Sequence, residues 1–225
     1  MTGPDETRPA VALGFIHRAV PGALGADGPT LVLLHGTGGD EHDLLPLAAR
    51  LAPGANLLGV RGKVQEGGLA RYFRRLGEGV FDQEDVMARA AELAAFLPAA
   101  ARSYGFDGRL FAVGYSNGAN MAAALLLLQP GLLKGAVLFR AMLPLTAPAQ
   151  VDLAGTAVLI SNGQSDPLTS KERAQELSRV LSNCGATVTT KWQKSGHGLV
   201  EGDLTDGATW LGWHCGASQR GPADS

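Results

Sequence analysis

The segment that most restricts this chain is Gly114-Tyr115-Ser116-Asn117-Gly118, because of what flanks it. Residues 110–115 form a short apolar run of strand type, and residues 117–128 have helical character up to Gln129-Pro130-Gly131. A serine on so sharp a strand-to-helix turn needs neighbours without bulk two positions away, and glycine stands at both. The turn lifts the hydroxyl clear of the backbone, beside a helix N-terminus that favours developing negative charge. The competing structural reading is a glycine-lined helix start at which Ser116 serves only as the N-cap.

The rest of the chain repeats the same alternation. Short apolar runs at 30–34, 56–60, 110–115, 135–139, 156–162 and 187–192 read as strands. Helical spacing separates most of them, at 44–51, 84–104, 117–128, 171–183 and 203–213, and residues 10–20 suit an antiparallel edge strand. Strands joined by helical crossovers imply an α/β fold: a mostly parallel central sheet with helices on both faces. Functional groups in such sheets collect at the carboxyl ends of the strands. The interval 140–155, with sixteen residues and Pro144 and Pro148, is too short for a cap domain. Residues 10–214 read as one domain, with loose ends at 1–9 and 215–225.

Charge and composition exclude several classes. Nineteen Lys and Arg against twenty-one Asp and Glu give −2, which makes no electrostatic case for nucleic acid or an anionic membrane. The longest apolar run, Met121 to Leu128, has eight residues, far short of a membrane span. The polar N-terminal residues carry no apolar export signal, and Cys184 and Cys215 suit a reduced pair, so a cytoplasmic protein is expected. An edge strand or the helix bearing Trp210 and Trp213 could support a homodimer.

A serine hydroxyl needs an adjacent base, and the base needs an acid to fix its tautomer. His197, in Ser195-Gly196-His197-Gly198-Leu199 after the last strand, is the candidate base. His17, His42 and His214 lie on the expected edge strand, a polar helix start and the tail, and His35 suits a loop-fixing hydrogen bond. Asp166, in Asn162-Gly163-Gln164-Ser165-Asp166-Pro167, follows a strand and is the candidate acid, with a plain turn role as its rival. The stretch His35-Gly36-Thr37-Gly38-Gly39-Asp40 offers the N–H of Thr37, which with that of Asn117 would make an oxyanion hole. It lacks the Gly-Lys-Ser/Thr ending of a phosphate loop, and His35, Asp40, His42 and Asp43 fit no zinc spacing, so no metal is expected. Residues 59–81 form a long connection without periodicity. Tyr72, Phe73 and Phe81 there, with Met142 and Leu143 further on, are the candidate substrate-binding walls; the plain alternative is an exposed basic loop whose aromatics only anchor it, with Met142 and Leu143 packed under theirs. Arg61, Arg71, Arg74 and Arg75 would face water or an anionic group.

Taken together, Leu33-Leu34-His35-Gly36-Thr37-Gly38-Gly39, Gly114-Tyr115-Ser116-Asn117-Gly118-Ala119-Asn120, Asp166-Pro167 and Gly196-His197 resemble a known group. It is the phospholipase/carboxylesterase group of the α/β-hydrolase superfamily, small bacterial carboxylesterases related to acyl-protein thioesterases. The resemblance implies the same triad of Ser116, Asp166 and His197, an ester substrate and no cofactor. Eukaryotic thioesterases usually carry Gly-Phe-Ser-Gln-Gly at the nucleophile, so Asn117 points away from protein deacylation. Dienelactone hydrolases share the fold but typically use cysteine, and Ser116 argues against that assignment. The expected function is hydrolysis of small carboxylic esters through an acyl-serine. A thioesterase or lysophospholipase with the same triad is the enzymatic alternative. A catalytically silent, ligand-binding relative is the alternative of another class.

Overall fold

The structure, a computed structural model, describes residues 14–26, 28–106, 109–146 and 149–215. Its strands in chain order are β1 (His17–Val20), β2 (Thr30–Leu34), β3 (Asn56–Val60), β4 (Val64–Glu66), β5 (Leu69–Arg71), β6 (Arg75–Gly77), β7 (Val80–Phe81), β8 (Leu110–Tyr115), β9 (Gly135–Phe139), β10 (Ala157–Gly163) and β11 (Thr187–Gln193). The helices are α1 (Leu45–Leu51), α2 (Gln83–Ser103), α3 (Asn117–Leu128), α4 (Lys171–Asn183) and α5 (Glu201–Cys215). The expected elements are all present, with ends displaced by a residue or two except in the edge strand expected at 10–20, which begins only at His17. Residues 10–13 of the expected edge strand and residues 1–9 lie outside the described residues, as do 216–225. Cys215, expected in a loose tail, is instead the buried last residue of α5.

Seven strands pair in the order β1-β3-β2-β8-β9-β10-β11. Every pairing is parallel except the antiparallel β1–β3 pair at one edge. Burial alternates with the period of a strand. Val32, Leu34, Leu138, Val158 and Ile160 join one apolar cluster with residues of α2, α3 and α4. Their neighbours Leu31, Leu33, Val137, Phe139 and Leu159 join a second with α1 and α5. The sheet therefore carries a core on each face. This is the α/β-hydrolase arrangement, and among the described residues no helix or strand interrupts the passage from β9 to β10. No described helix is long and apolar enough to cross a membrane. Both cysteines are free and buried, and burial pushes the Cys215 thiol up to about 12. Trp210 is buried, so of the two tryptophans considered for a dimer contact only Trp213 faces solvent.

The connection 59–81 is not the structureless loop its lack of periodicity suggests. It holds two small antiparallel hairpins, β4–β5 and β6–β7. Gly67 and Gly68 both take positive φ between β4 and β5, the backbone that a two-residue hairpin turn requires. Strands of two or three residues are too short for an alternation to register, so the Gly-Gly pair was the only sequence signal.

Helix α3 positions the serine turn and is buried along almost its whole length, from Asn117 to Leu127. Its Leu125 is fully enclosed. Leu125→Ala should cost roughly 2–5 kcal/mol through lost transfer energy and the cavity left behind. Urea denaturation should show a lower midpoint at unchanged slope.

Candidate active site

Ser116 links β8 to α3 with φ 52° and ψ −113°, a left-handed backbone that a residue with a Cβ rarely adopts. Its N–H donates to Phe139 O on the neighbouring strand (2.9 Å), and its side chain makes no capping bond to the helix. The flanking glycines are demanded by space. A Cβ at Gly114 would stand 2.6 Å from Ala119 Cα, and one at Gly118 would stand 2.0 Å from Leu34 O. The Ser116 hydroxyl instead meets His197 Nε2 at 2.9 Å.

His197 and Asp166 come to the same point from loops after β11 and β10. His197 Nδ1 lies 2.8 Å from Asp166 Oδ2. The Asp166 side chain is wholly buried, and its other oxygen accepts the N–H groups of Leu168 (2.8 Å) and Thr169 (3.2 Å). An ionised carboxylate only accepts, so this contact puts the imidazole proton on Nδ1 and leaves Nε2 free to accept from Ser116. Tyr115 packs its ring against His197 and donates its hydroxyl to His197 O (3.1 Å).

The histidine loop rests on a residue the sequence reading passed over. Arg140, directly after β9, is fully buried and has φ 59°. Its guanidinium makes a two-pronged pair with Asp203 of α5, at 2.8 and 2.7 Å. It also donates to Gly196 O (3.2 Å), Gly198 O (2.6 Å), Ser195 Oγ (3.1 Å) and Ser161 O (3.0 Å). Both backbone neighbours of His197 are thus tied to one cation. The available signal was a lone charge in the apolar stretch 135–145.

On the other side of Ser116, the loop after β2 is held by His35 and Tyr72. His35 Nδ1 donates to Gly36 O (2.6 Å), and Nε2 accepts the Gly62 N–H (3.0 Å). Burial holds the imidazole below its ordinary range, against a weaker upward pull from the Gly36 bond. The Tyr72 hydroxyl accepts the His35 N–H and donates to Val60 O, and burial keeps it protonated well beyond the usual tyrosine range. Asn117 Oδ1 accepts the Tyr72 N–H (2.8 Å), and Arg71 Nη1 donates to Thr37 Oγ1 (2.7 Å). Among the described residues, the N–H groups of Thr37 and Asn117 have no protein acceptor. Two unspent donors beside a serine oxygen can receive a developing oxyanion.

Ser116, His197, Tyr115 and Arg71 line a cleft of about 340 Å³. Thr37 and Asn117, the candidate oxyanion donors, line it, as do Met142 and Phe81 from the candidate walls. Tyr72 and Phe73, expected as walls, are corrections: both are buried in the core, and neither reaches the cleft. Tyr72 is committed to its bonds beneath the loop, and Phe73 packs on Phe81 from behind, with centroids 5.1 Å apart. Leu143 is a third correction, since it lines a separate neighbouring cavity. Of the four arginines, only Arg71 and Arg75 line the cleft. Arg61 pairs with Glu41 and Arg74 with Asp82. Asn120 and Leu168 also line it; no local sequence pattern distinguished them. Asp40, Glu41 and His42 bring three ligand-type atoms within 4.8 Å of one another, but Arg61 already engages Glu41 and Asp40 there.

The Dienelactone hydrolase family model matches residues 68–208. MhqD of Bacillus subtilis (strain 168) is 47% identical over 187 residues, 83% of this chain and 94% of that protein. The Bacillus cereus carboxylesterase superposes with a TM-score of 0.88 at 43% identity, covering 91% of this chain and 97% of that one. A carboxylesterase from Mesorhizobium loti does so with 0.84 at 34%, covering 92% and 99%. SOBER1 of Arabidopsis thaliana, at 19% identity and TM-score 0.70 over 83% of this chain and 98% of its own, shares the fold. The family match overturns the argument from Ser116 against dienelactone hydrolases. It rests on a long stretch of chain, and the choice of oxygen or sulfur at one position does not set its boundary.

Two measurements test the supports of this site. Arg140→Met or Asp203→Leu alone should cost roughly 3–5 kcal/mol, because each leaves a buried charge uncompensated. The double variant should cost clearly less than the sum in a denaturation cycle. For His35, the unfolded chain takes up a proton near 6.5, whereas the folded chain takes it up only at lower pH. The unfolded state therefore binds more protons in that window, and stability falls as pH drops below about 6.5. A His35→Gln variant should be less stable than wild type at pH 8, and the gap in Tm should narrow by pH 5.5.

Proposed function

The chain belongs to the dienelactone hydrolase family, and we propose that it is a serine carboxylesterase acting on small carboxylic esters through an acyl-Ser116 intermediate. As a carboxylesterase-like hydrolase it shares its fold and much of its sequence with two bacterial carboxylesterases, which supports an ester substrate. Residues 10–214 would act as a single catalytic domain. The observation that carries this reading is the continuous pair of contacts from Ser116 Oγ to His197 Nε2 (2.9 Å) and from His197 Nδ1 to Asp166 Oδ2 (2.8 Å). A serine serving only as a helix cap would turn its hydroxyl to the helix, and Ser116 does not.

In this mechanism Ser116 Oγ attacks the ester carbonyl carbon while His197 Nε2 takes the hydroxyl proton. The carbonyl oxygen becomes negative and is received by the N–H groups of Thr37 and Asn117. Collapse breaks the bond to the leaving oxygen, and His197 returns the proton to that oxygen, which departs as the alcohol. A water then gives its proton to His197 Nε2 and attacks the acyl carbon; collapse breaks the bond to Ser116 Oγ, which takes the proton back from His197, and the acid is released. Asp166 holds the imidazole in one tautomer and balances its transient charge. The chain's own part is orientation: the imidazole is fixed through Asp166, Tyr115 and the Arg140-bound loop.

Ser116→Ala should lower kcat by about 10³-fold or more and should leave the Tm near that of wild type. A fluorophosphonate probe should label the native protein at Ser116 and leave the variant unlabelled. Near-wild-type turnover of the variant, or folded protein that takes no label, would overturn the assignment. The second outcome would favour a ligand-binding role.

A further inference from the structure

Four asparagines are buried among the described residues: Asn56, Asn117, Asn120 and Asn162. A side-chain amide has an acceptor at one end and donors at the other, and burial makes an unpaired end costly. Asn56 and Asn162 spend both ends on backbone groups. Asn117 gives its oxygen to the Tyr72 N–H, and its Nδ2 has no partner but is fully enclosed. Asn120 differs from all three. Its Oδ1 accepts the Met142 N–H (2.9 Å), which fixes the amide's orientation and puts the NH2 group at the opposite end. That NH2 group has no protein acceptor either, yet it is not enclosed, and Asn120 lines the cleft. The residue is only 4% exposed, so the little surface it keeps belongs to the cleft wall. Asn120 also sits one turn into α3 from the serine, with its N–H donating to Ser116 O (2.9 Å).

Resting on the reading of the protein as a serine esterase, we propose that Asn120 Nδ2 is a substrate-binding donor and that the preferred esters carry a second, uncharged acceptor oxygen. That oxygen belongs to a ketone, an ether or a further ester group, a few bonds from the reacting carbonyl. A plain alkyl ester filling the cleft leaves the Asn120 donor unpaired, whereas an oxygen at that point satisfies it. A site with an unspent buried donor discriminates against the analogue that lacks the acceptor. The charges around the cleft favour a neutral oxygen over a carboxylate. Arg71 and Arg75 both pair with Glu66, at 3.3 and 2.6 Å, and Glu78 adds a further negative charge to the wall.

The test compares matched esters that differ by one oxygen-bearing position, on each arm in turn. On the acyl arm the pair is p-nitrophenyl 4-oxopentanoate and p-nitrophenyl pentanoate. On the alcohol arm it is 2-methoxyethyl butanoate and butyl butanoate. The quantity read is kcat/KM of the oxygen-bearing ester divided by that of its plain partner, so intrinsic reactivity cancels between wild type and variants. Asn120→Asp keeps an oxygen for the Met142 N–H and replaces the donor by a carboxylate, while Asn120→Leu removes both ends. In at least one pair, both variants should lower the ratio about threefold to tenfold, the worth of one hydrogen bond. Ratios unchanged in both pairs, or lowered by only one of the two folded variants, overturn the proposal. The leucine effect alone would mark a mere support of Met142, and the aspartate effect alone a plain repulsion. Asn120→Ala takes the place of the leucine variant if that one does not fold. Failure of the esterase reading looks different: the wild-type protein would then hydrolyse none of the esters and take no fluorophosphonate label.

Discussion

The buried pair of Arg140 and Asp203 is the interaction on which the geometry of the site depends. A guanidinium has five N–H donors, and here every one finds a protein acceptor in a fully buried position. Those acceptors belong to β10, the loop after β11 and the first turn of α5, while the arginine itself ends β9. Asp203 closes the set by accepting from Ser161 Oγ (2.7 Å) and the Val200 N–H (2.8 Å). Two charges removed from water are held only by such complete pairing. The return is positional. The loop carrying His197 leaves the sheet at its edge, where β11 has one neighbour, and the cation fixes the loop from within.

A second network does the corresponding work on the opposite side of Ser116, with neutral groups. Tyr72, His35 and Asn117 come from three separate segments and bond in series beneath the Thr37 turn. The Tyr72 hydroxyl can donate to Val60 O only while protonated, and burial secures that. Both halves of the site thus hang from buried polar side chains at strand ends. A misplacement of about 1 Å in either would be felt at the reacting atoms.

The parts of this molecule legible in the sequence were those governed by local rules. Gly114 and Gly118 reported a steric demand that any serine turn of this kind imposes, and the apolar runs at 30–34 and 135–139 could only be buried strands. Chain order placed Asp166 and His197 at the carboxyl ends of their strands, which brought them within reach of Ser116. Side-chain facing was not legible in short irregular segments. Between Arg71 and Phe73 the chain turns the arginine toward the cleft and both aromatics into the core, against the expectation that aromatics wall the pocket. Arg140 was hidden for a different reason. Its role depends on Asp203, sixty-three positions away, and no local pattern reports so distant a partner.

Ser116 and Arg140 are the two non-glycine residues with positive φ among those described, and they follow adjacent strands, β8 and β9. Such backbones cost of order 1–3 kcal/mol each and persist only where the surroundings enforce them. The fold therefore keeps its least comfortable conformations next to its chemistry. A glycine at either position would relax the backbone while removing the nucleophile or the clamp. Selection for thermal stability alone would pull these two sites away from function, so a more heat-resistant form of this protein has to find its gains elsewhere in the sheet and helices.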